Sequence, residues 1–276
     1  MDPYLIVIAL LGLIIGSFLN VCIFRIPINQ ELFDEELYPK HLELKNRFLS
    51  GFSVSFPPRS ICPNCFSELK WYHNIPFFSW VFLAGKCAFC SNKISIRYPL
   101  VELISAISAV VSVIFYGYTA SALVVYVLFA SFIVIACIDY DHFMIPDVIT
   151  YPLTAAGIIA SIVNQYYPFL RYPFNANWQD LLLGLAAGAG ALYLVAKIYL
   201  LIRRREGLGM GDVKLLAVIG AWLGYQGSFF TIFAGSVIGS VGGIIALLLK
   251  GRGLSQEIPF GPYLVIAAAV YLIMAS

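Results

Sequence analysis

MDPYLIVIALLGLIIGSFLNV, residues 1–21, has two readings, and the choice between them decides the fold. A cleaved signal segment starts with basic residues and ends at a small-residue cleavage site. This stretch has neither, so it reads as a first membrane span, about 20 residues being enough to cross the hydrocarbon. The whole chain agrees, with 61% hydrophobic and 12% charged residues over 276 positions. A water-soluble globule of that length does not need so much apolar surface. The expectation is an all-α polytopic membrane protein.

Working outward, apolar runs mark about eight spans, at 4–24, 99–117, 120–138, 148–165, 180–201, 212–225, 228–249 and 261–275. A domain division follows: a first helix at 1–24, a polar segment at 25–98, and a seven-helix membrane core at 99–276. Small residues recur at Gly184 and Gly188, at Gly220 and Gly224, and at Gly235, Gly239 and Gly243. Such stripes let helices approach closely. Asp180, at the outer start of the fifth span, suits a helix N-terminus.

Lys and Arg set the orientation. Nine lie in segment 25–98, Arg203, Arg204 and Arg205 lie between the fifth and sixth spans flanked by Lys197 and Lys214, and Lys250 and Arg252 lie between the seventh and eighth. With eight spans all of these share one face, which is then cytoplasmic, and only Arg171 falls opposite. Both termini are expected outside. By parity, DYDHFMIPD (139–147) and EGLGMGD (206–212) meet segment 25–98 on the cytoplasmic side.

Segment 25–98 carries CPNC (62–65) and CAFC (87–90). Two C-x2-C pairs separated by 21 residues suit a tetrahedral zinc site held by Cys62, Cys65, Cys87 and Cys90. A cytoplasmic loop keeps thiols reduced, which favours a metal over two disulfides. Four protein ligands leave no open coordination position, so the zinc is expected to be structural. Cys22 and Cys137 fall inside spans and read as packing residues.

Most of the acids have plain explanations. Glu31, Asp34, Glu35 and Glu36 read as a solvated face, and Glu102 as an interfacial partner for a basic group. Asp139, Asp141, Asp147 and Asp212 remain, at the cytoplasmic ends of spans. Pro146 pre-sets a helix start, so Asp147 falls in the first turn of the fourth span. Asp212 has the same relation to the sixth span. Two carboxylates brought together at a membrane edge share a proton, which is aspartyl-protease chemistry. Ion coupling in a transporter, with Asp139, Asp141, Asp147 and Asp212 as proton or cation sites, explains the same residues equally well. A non-enzymatic assembly factor would need no such acids. Nothing in the charge balance gives an expectation of a nucleic-acid partner, whereas the apolar spans require a lipid bilayer.

Several stretches together carry a resemblance. GMGD (209–212) before an apolar helix resembles the G-x-G-D signature of intramembrane aspartyl proteases. IPD (145–147), GSFLNVCIFRIP (16–27), NIPFFSWVFLAGKC (74–87) around the cysteines, and KISIRYPLVE (93–102) look like bacterial type IV prepilin peptidases. The likeness runs nearly end to end. It implies a bifunctional inner-membrane enzyme acting on prepilins or type II secretion pseudopilins. Members cut the basic leader on the cytoplasmic side, then N-methylate the new N-terminal residue with S-adenosylmethionine. Carried over by motif, Asp147 and Asp212 are the catalytic pair, with Asp139, Asp141, Gly209, Gly211 and Lys214 in support. Archaeal relatives lack the cysteine segment, so its presence favours the methylating branch.

GLGMG superficially imitates the glycine loop of soluble methyltransferases, but no strand precedes it, so that reading is rejected. Gly207, Gly209 and Gly211 are read instead as turn geometry and close backbone approach. For the methyl donor the sequence offers Asn20, Arg25 and Glu102 as candidates. Asn20 serves equally as a helix-to-helix hydrogen bonder.

Overall fold

The structure, a computed structural model, describes residues 2–30, 53–174, 177–204, 209–250 (side chains through 245) and 259–276. The acidic run at 31–36, Arg205, Gly207 and Arg252 lie outside these residues. Regular structure among the described residues is helical, apart from two isolated antiparallel bridges. In chain order the helices are α1 (Pro3–Asn29), α2 (Phe78–Phe82), α3 (Arg97–Tyr116), α4 (Ala120–His142) and α5 (Asp147–Tyr166). They continue with α6 (Trp178–Leu185), α7 (Ala191–Arg203), α8 (Met210–Lys250) and α9 (Gly261–Met274). A π-helical segment, Ala186–Gly190, joins α6 to α7.

Among the described residues six helical stretches are long and apolar enough to cross a bilayer: Pro3–Asn29, Arg97–Tyr116, Ala120–His142, Asp147–Tyr166, Trp178–Arg203 and Met210–Ile245. This makes the chain a multi-pass membrane protein, with a count that differs from the eight read from sequence. The runs at 212–225 and 228–249 lie on one helical element of 41 residues, broken at Gly224, whose φ of 67° and ψ of −163° suit glycine alone. The last run forms only a 14-residue helix, about 21 Å long against a hydrocarbon core of about 30 Å.

The chain forms two compact units: residues 1–118 with 122–134, and residues 119–121 with 135–276. In the first unit α1 packs along α3. Asp2 caps α1 by accepting the Tyr4 N–H at 3.1 Å, and Pro3 occupies its first turn. A Cβ at Gly12 would come within 2.6 Å of Ala106 Cα, and one at Gly16 within 2.6 Å of Glu102 Cα. The Ser105 hydroxyl donates to the Gly12 carbonyl at 2.8 Å in the same seam. The first helix also outruns its expected end, reaching Asn29 rather than residue 24. Buried Arg25 anchors this extension by donating to the carbonyls of Ser53, Val54, Pro57 and Arg59 at 2.8–3.3 Å.

In the second unit α8 packs against α5, α6 and α9. The glycine stripes work as expected: Gly184 meets the backbone of Gly220 and Gly224, and Gly235 faces Leu264 of α9. On the α5 side, Trp222 donates to the Leu153 carbonyl at 2.9 Å, and Ser161 to the Ala221 carbonyl at 3.0 Å. These contacts fix the start of α8, where the acid site lies.

Candidate active site and metal centre

Asp212 sits in the first turn of α8, its N–H donating to the Gly209 carbonyl at 3.2 Å. Asp139 lies in the last turns of α4, 5% exposed, and its Oδ2 accepts the Gly261 N–H at 3.0 Å. Ile145 binds the pieces together: it lies against Gly211, where a Cβ would approach to 3.1 Å, and against Gly261, at 3.3 Å. The ends of α4, α8 and α9 therefore converge on these two carboxylates.

Asp147 begins α5 as expected, but its carboxylate is engaged elsewhere. Its Oδ1 accepts from Lys214 Nζ at 2.6 Å, with 44% of the Asp147 side chain and 26% of the Lys214 side chain exposed. The Lys214 ammonium also lies over the Tyr151 ring, 5.4 Å from its centroid. Asp147 thus pairs with Lys214, while Ile145 and Gly261 bring Asp139 and the first turn of α8, which carries Asp212, to one place. Asp141 is half-buried in the last turn of α4. A side chain at Gly211 would press on Ile145, its Cβ coming within 3.1 Å, whereas a Cβ at Gly209 would meet Asp212 Oδ2 at 3.4 Å, an ordinary contact. Gly261 and Ile145 had no role in the sequence reading. Their signal was the Gly-Pro pair opening the last helix and the Ile-Pro pair ahead of α5.

The four cysteines come together with their sulfur atoms all within 4.8 Å of one another. Cys62 and Cys90 sulfurs lie 3.9 Å apart, close to the roughly 3.8 Å edge of a tetrahedron with Zn–S bonds of about 2.3 Å. The two knuckles share one construction. Cys62 N–H donates to the Ser67 carbonyl at 3.0 Å and Cys87 N–H to the Asn92 carbonyl at 2.9 Å. Bridges Ile61–Glu68 and Lys86–Lys93 close the two turns, and Phe66 and Ser91, each after a second cysteine, take φ of 57°. Burial pushes the Cys62 thiol up to about 12, while the Ser67 hydroxyl bonded to Cys65 holds that thiol down at about 6. A soft divalent cation suits this set, four thiols being available without a disulfide.

Beside the knuckles, and within the first unit, lies a cavity of about 380 Å³. Asn20, Arg25 and Glu102, the three candidates for a methyl-donor site, all line it. Their hydrogen bonds separate their roles. Arg25 holds backbone carbonyls, and Asn20 donates to the Tyr98 carbonyl at 3.0 Å, bonding α1 to α3. Among the described residues Glu102 meets no basic side chain; its Oε2 accepts the Phe77 N–H at 2.7 Å. His73, which the sequence reading passed over, also lines the cavity, and its Nδ1 is buried with no hydrogen-bond partner among the described residues.

Comparison with known proteins yields two family models. Residues 10–116 match the bacterial peptidase A24 N-terminal domain, and residues 126–244 match the type IV leader peptidase family. Curated relatives match over nearly the whole chain. A Stutzerimonas stutzeri protein named prepilin leader peptidase/N-methyltransferase is 37% identical, covering 95% of this chain and 88% of the relative. Proteins of the same name from Xanthomonas campestris pv. campestris and Pseudomonas aeruginosa are 39% and 36% identical, covering 94% and 96% of this chain and 88% of each relative. No solved structure matches.

Proposed function

The chain belongs to the type IV leader peptidase family, and we propose that it is an aspartyl endopeptidase of the bacterial inner membrane with a second, N-methylating activity. Its substrates are prepilins or type II secretion pseudopilins, cut between a basic leader and an apolar helix on the cytoplasmic side. The observation that carries the proteolytic half is the convergence of the ends of α4 and α8, bearing Asp139 and Asp212, about Ile145 and Gly261, with Gly261 N–H on Asp139. One carboxylate holds a proton and polarises the scissile carbonyl, while its ionised partner takes a proton from the attacking water. Asp147, the partner expected from the helix-start motif, is assigned with Lys214 to orienting this face. The glycine at 209 leaves room for extended substrate backbone beside Asp212.

Zinc is the metal this reading assigns to Cys62, Cys65, Cys87 and Cys90, in a structural role, since all four positions of the tetrahedron are filled by protein. S-adenosylmethionine supplies a methyl group that passes from its sulfonium to the new terminal amine, leaving a neutral thioether and releasing one proton. The first helix and the cysteine segment are assigned to this half, and residues 99–276 to the protease core. Eight spans, counting the two arms of α8 about Gly224 and the short α9, put the cysteine segment and both acids on the cytoplasmic side and the termini in the periplasm. Ion-coupled transport finds no support among the relatives.

The decisive experiment incubates the purified protein with a prepilin and a labelled methyl donor, then reads the product N-terminus by mass spectrometry. The reading requires a shortened, methylated chain. Full processing by an Asp212→Asn protein would overturn it.

A further inference from the structure

We propose that the cavity between the N-terminal helix and the cysteine knuckles is the methyl-donor site, with Glu102 as the counter-charge for the sulfonium. This rests on the methylating half of the function proposed above, and adds the place and the residues.

Four observations converge on the cavity. Its volume of about 380 Å³ falls in the range of small-molecule sites, roughly 300–1,000 Å³. Its walls supply aromatic faces from Phe24, Trp80 and Tyr98, the surface a purine needs. Glu102 brings a carboxylate to the wall with the residue only 7% exposed. Among the described residues its partners are the Phe77 N–H and the Ser17 hydroxyl, neither of them a cation. A buried anion held by neutral donors is suited to a ligand that arrives with positive charge. Finally, His73 presents a buried Nδ1 without a partner among the described residues, a polar atom left for the ligand to satisfy. Lys93 on the same wall offers a charge for the donor's carboxylate.

The chemistry also gives Glu102 a reason to be an acid. The donor carries a positive sulfur and the product a neutral one. A carboxylate at the wall therefore favours the donor over the product and lets the product leave once the methyl group has moved. The cavity shares Cys62 and Cys87 with the metal centre, so the metal shapes its wall. Loss of the metal is expected to release the methyl donor even though no ligand touches the ion.

The test is equilibrium binding to the full-length, metal-loaded protein in detergent, by calorimetry, with S-adenosylmethionine and S-adenosylhomocysteine titrated separately. Glu102→Gln is expected to weaken the sulfonium ligand about tenfold or more while changing the neutral one far less, so that the ratio of the two dissociation constants drops. His73→Phe keeps the ring contacts to Tyr72 and Phe89 and is expected to weaken both ligands severalfold, about the value of one hydrogen bond. Thermal unfolding and bound-metal analysis check that both variants are folded. If the wild type binds and neither variant alters affinity, the site is elsewhere and the methyltransferase reading stands. If Glu102→Gln weakens both ligands equally, the charge argument is overturned. If the wild type binds neither ligand, the methyltransferase reading fails with it.

Discussion

Asp139→Asn separates two accounts of the catalytic pair. The structure holds Asp139 nearly out of solvent and fixes its Oδ2 on the Gly261 N–H at 3.0 Å. Asparagine retains an oxygen that accepts the same N–H, so the fold survives and only proton transfer is lost. Positioned acid–base groups contribute about 10² to 10⁴ in rate, or roughly 3–5 kcal/mol of barrier. Asp147→Asn removes a different interaction, the 2.6 Å pair with Lys214, whose side chains are 44% and 26% exposed. Partly exposed pairs of this kind are worth about 1 kcal/mol or less, which is about a fivefold effect. Leader cleavage is therefore expected to fall at least about a hundredfold with Asp139→Asn and about fivefold or less with Asp147→Asn. The assay is single-turnover cleavage of a prepilin by purified protein, read by gel shift, with thermal unfolding as the fold control. A dead Asp147→Asn beside a working Asp139→Asn would refute the reasoning and restore the pair expected from the motifs.

Gly261→Ala places a Cβ 2.6 Å from Asp139 Oδ2; displacing that carboxylate is expected to slow cleavage by about 10², measured in the same assay. Cys62→Ser or Cys87→Ser is expected to lower bound zinc in purified protein, read by elemental analysis, and unchanged zinc would remove the metal assignment. Gly16→Val drives a side chain into α3 at Glu102 Cα, 2.6 Å from the first added carbon; a loss of about 1–3 kcal/mol is expected in detergent unfolding. Charge reversal of Glu31, Asp34, Glu35 and Glu36 tests whether the acidic run attracts a basic leader, in which case KM rises; an unchanged KM eliminates the idea.

Apolar runs made most of the helices legible, because a span must bury about 20 residues whatever its neighbours do. Spacing alone also marked the glycine contacts of α6, α8 and α9, since a small residue every fourth position defines a helix face. Less legible was how runs combine. Gly224 breaks α8 through a backbone conformation that hydropathy does not register, and Pro27 does not end α1, because Arg25 anchors its last turns to four carbonyls. The cysteine site was readable for the opposite reason: ligand spacing within each knuckle is local, and the two short turns repeat one geometry.

Locality also explains the difficulty over the acids. Asp147 stood out because the rules for helix starts favour it: a proline ahead, a carboxylate in the first turn, a dipole of the right sign. Those are reasons for an acid to be stable there, and its 2.6 Å bond to Lys214 is one more. Asp139 has none of them. It lies near the C-terminal end of an apolar helix, where the dipole disfavours an anion, and is buried within that helix's last turns. An acid that no local rule welcomes needs a distant reason, and here that reason is Gly261, 122 positions away along the chain. A position that folding does not favour is a better sign of chemistry than one that folding does. By that criterion Asp139, rather than the acid at the well-formed helix start, is the partner we propose for Asp212.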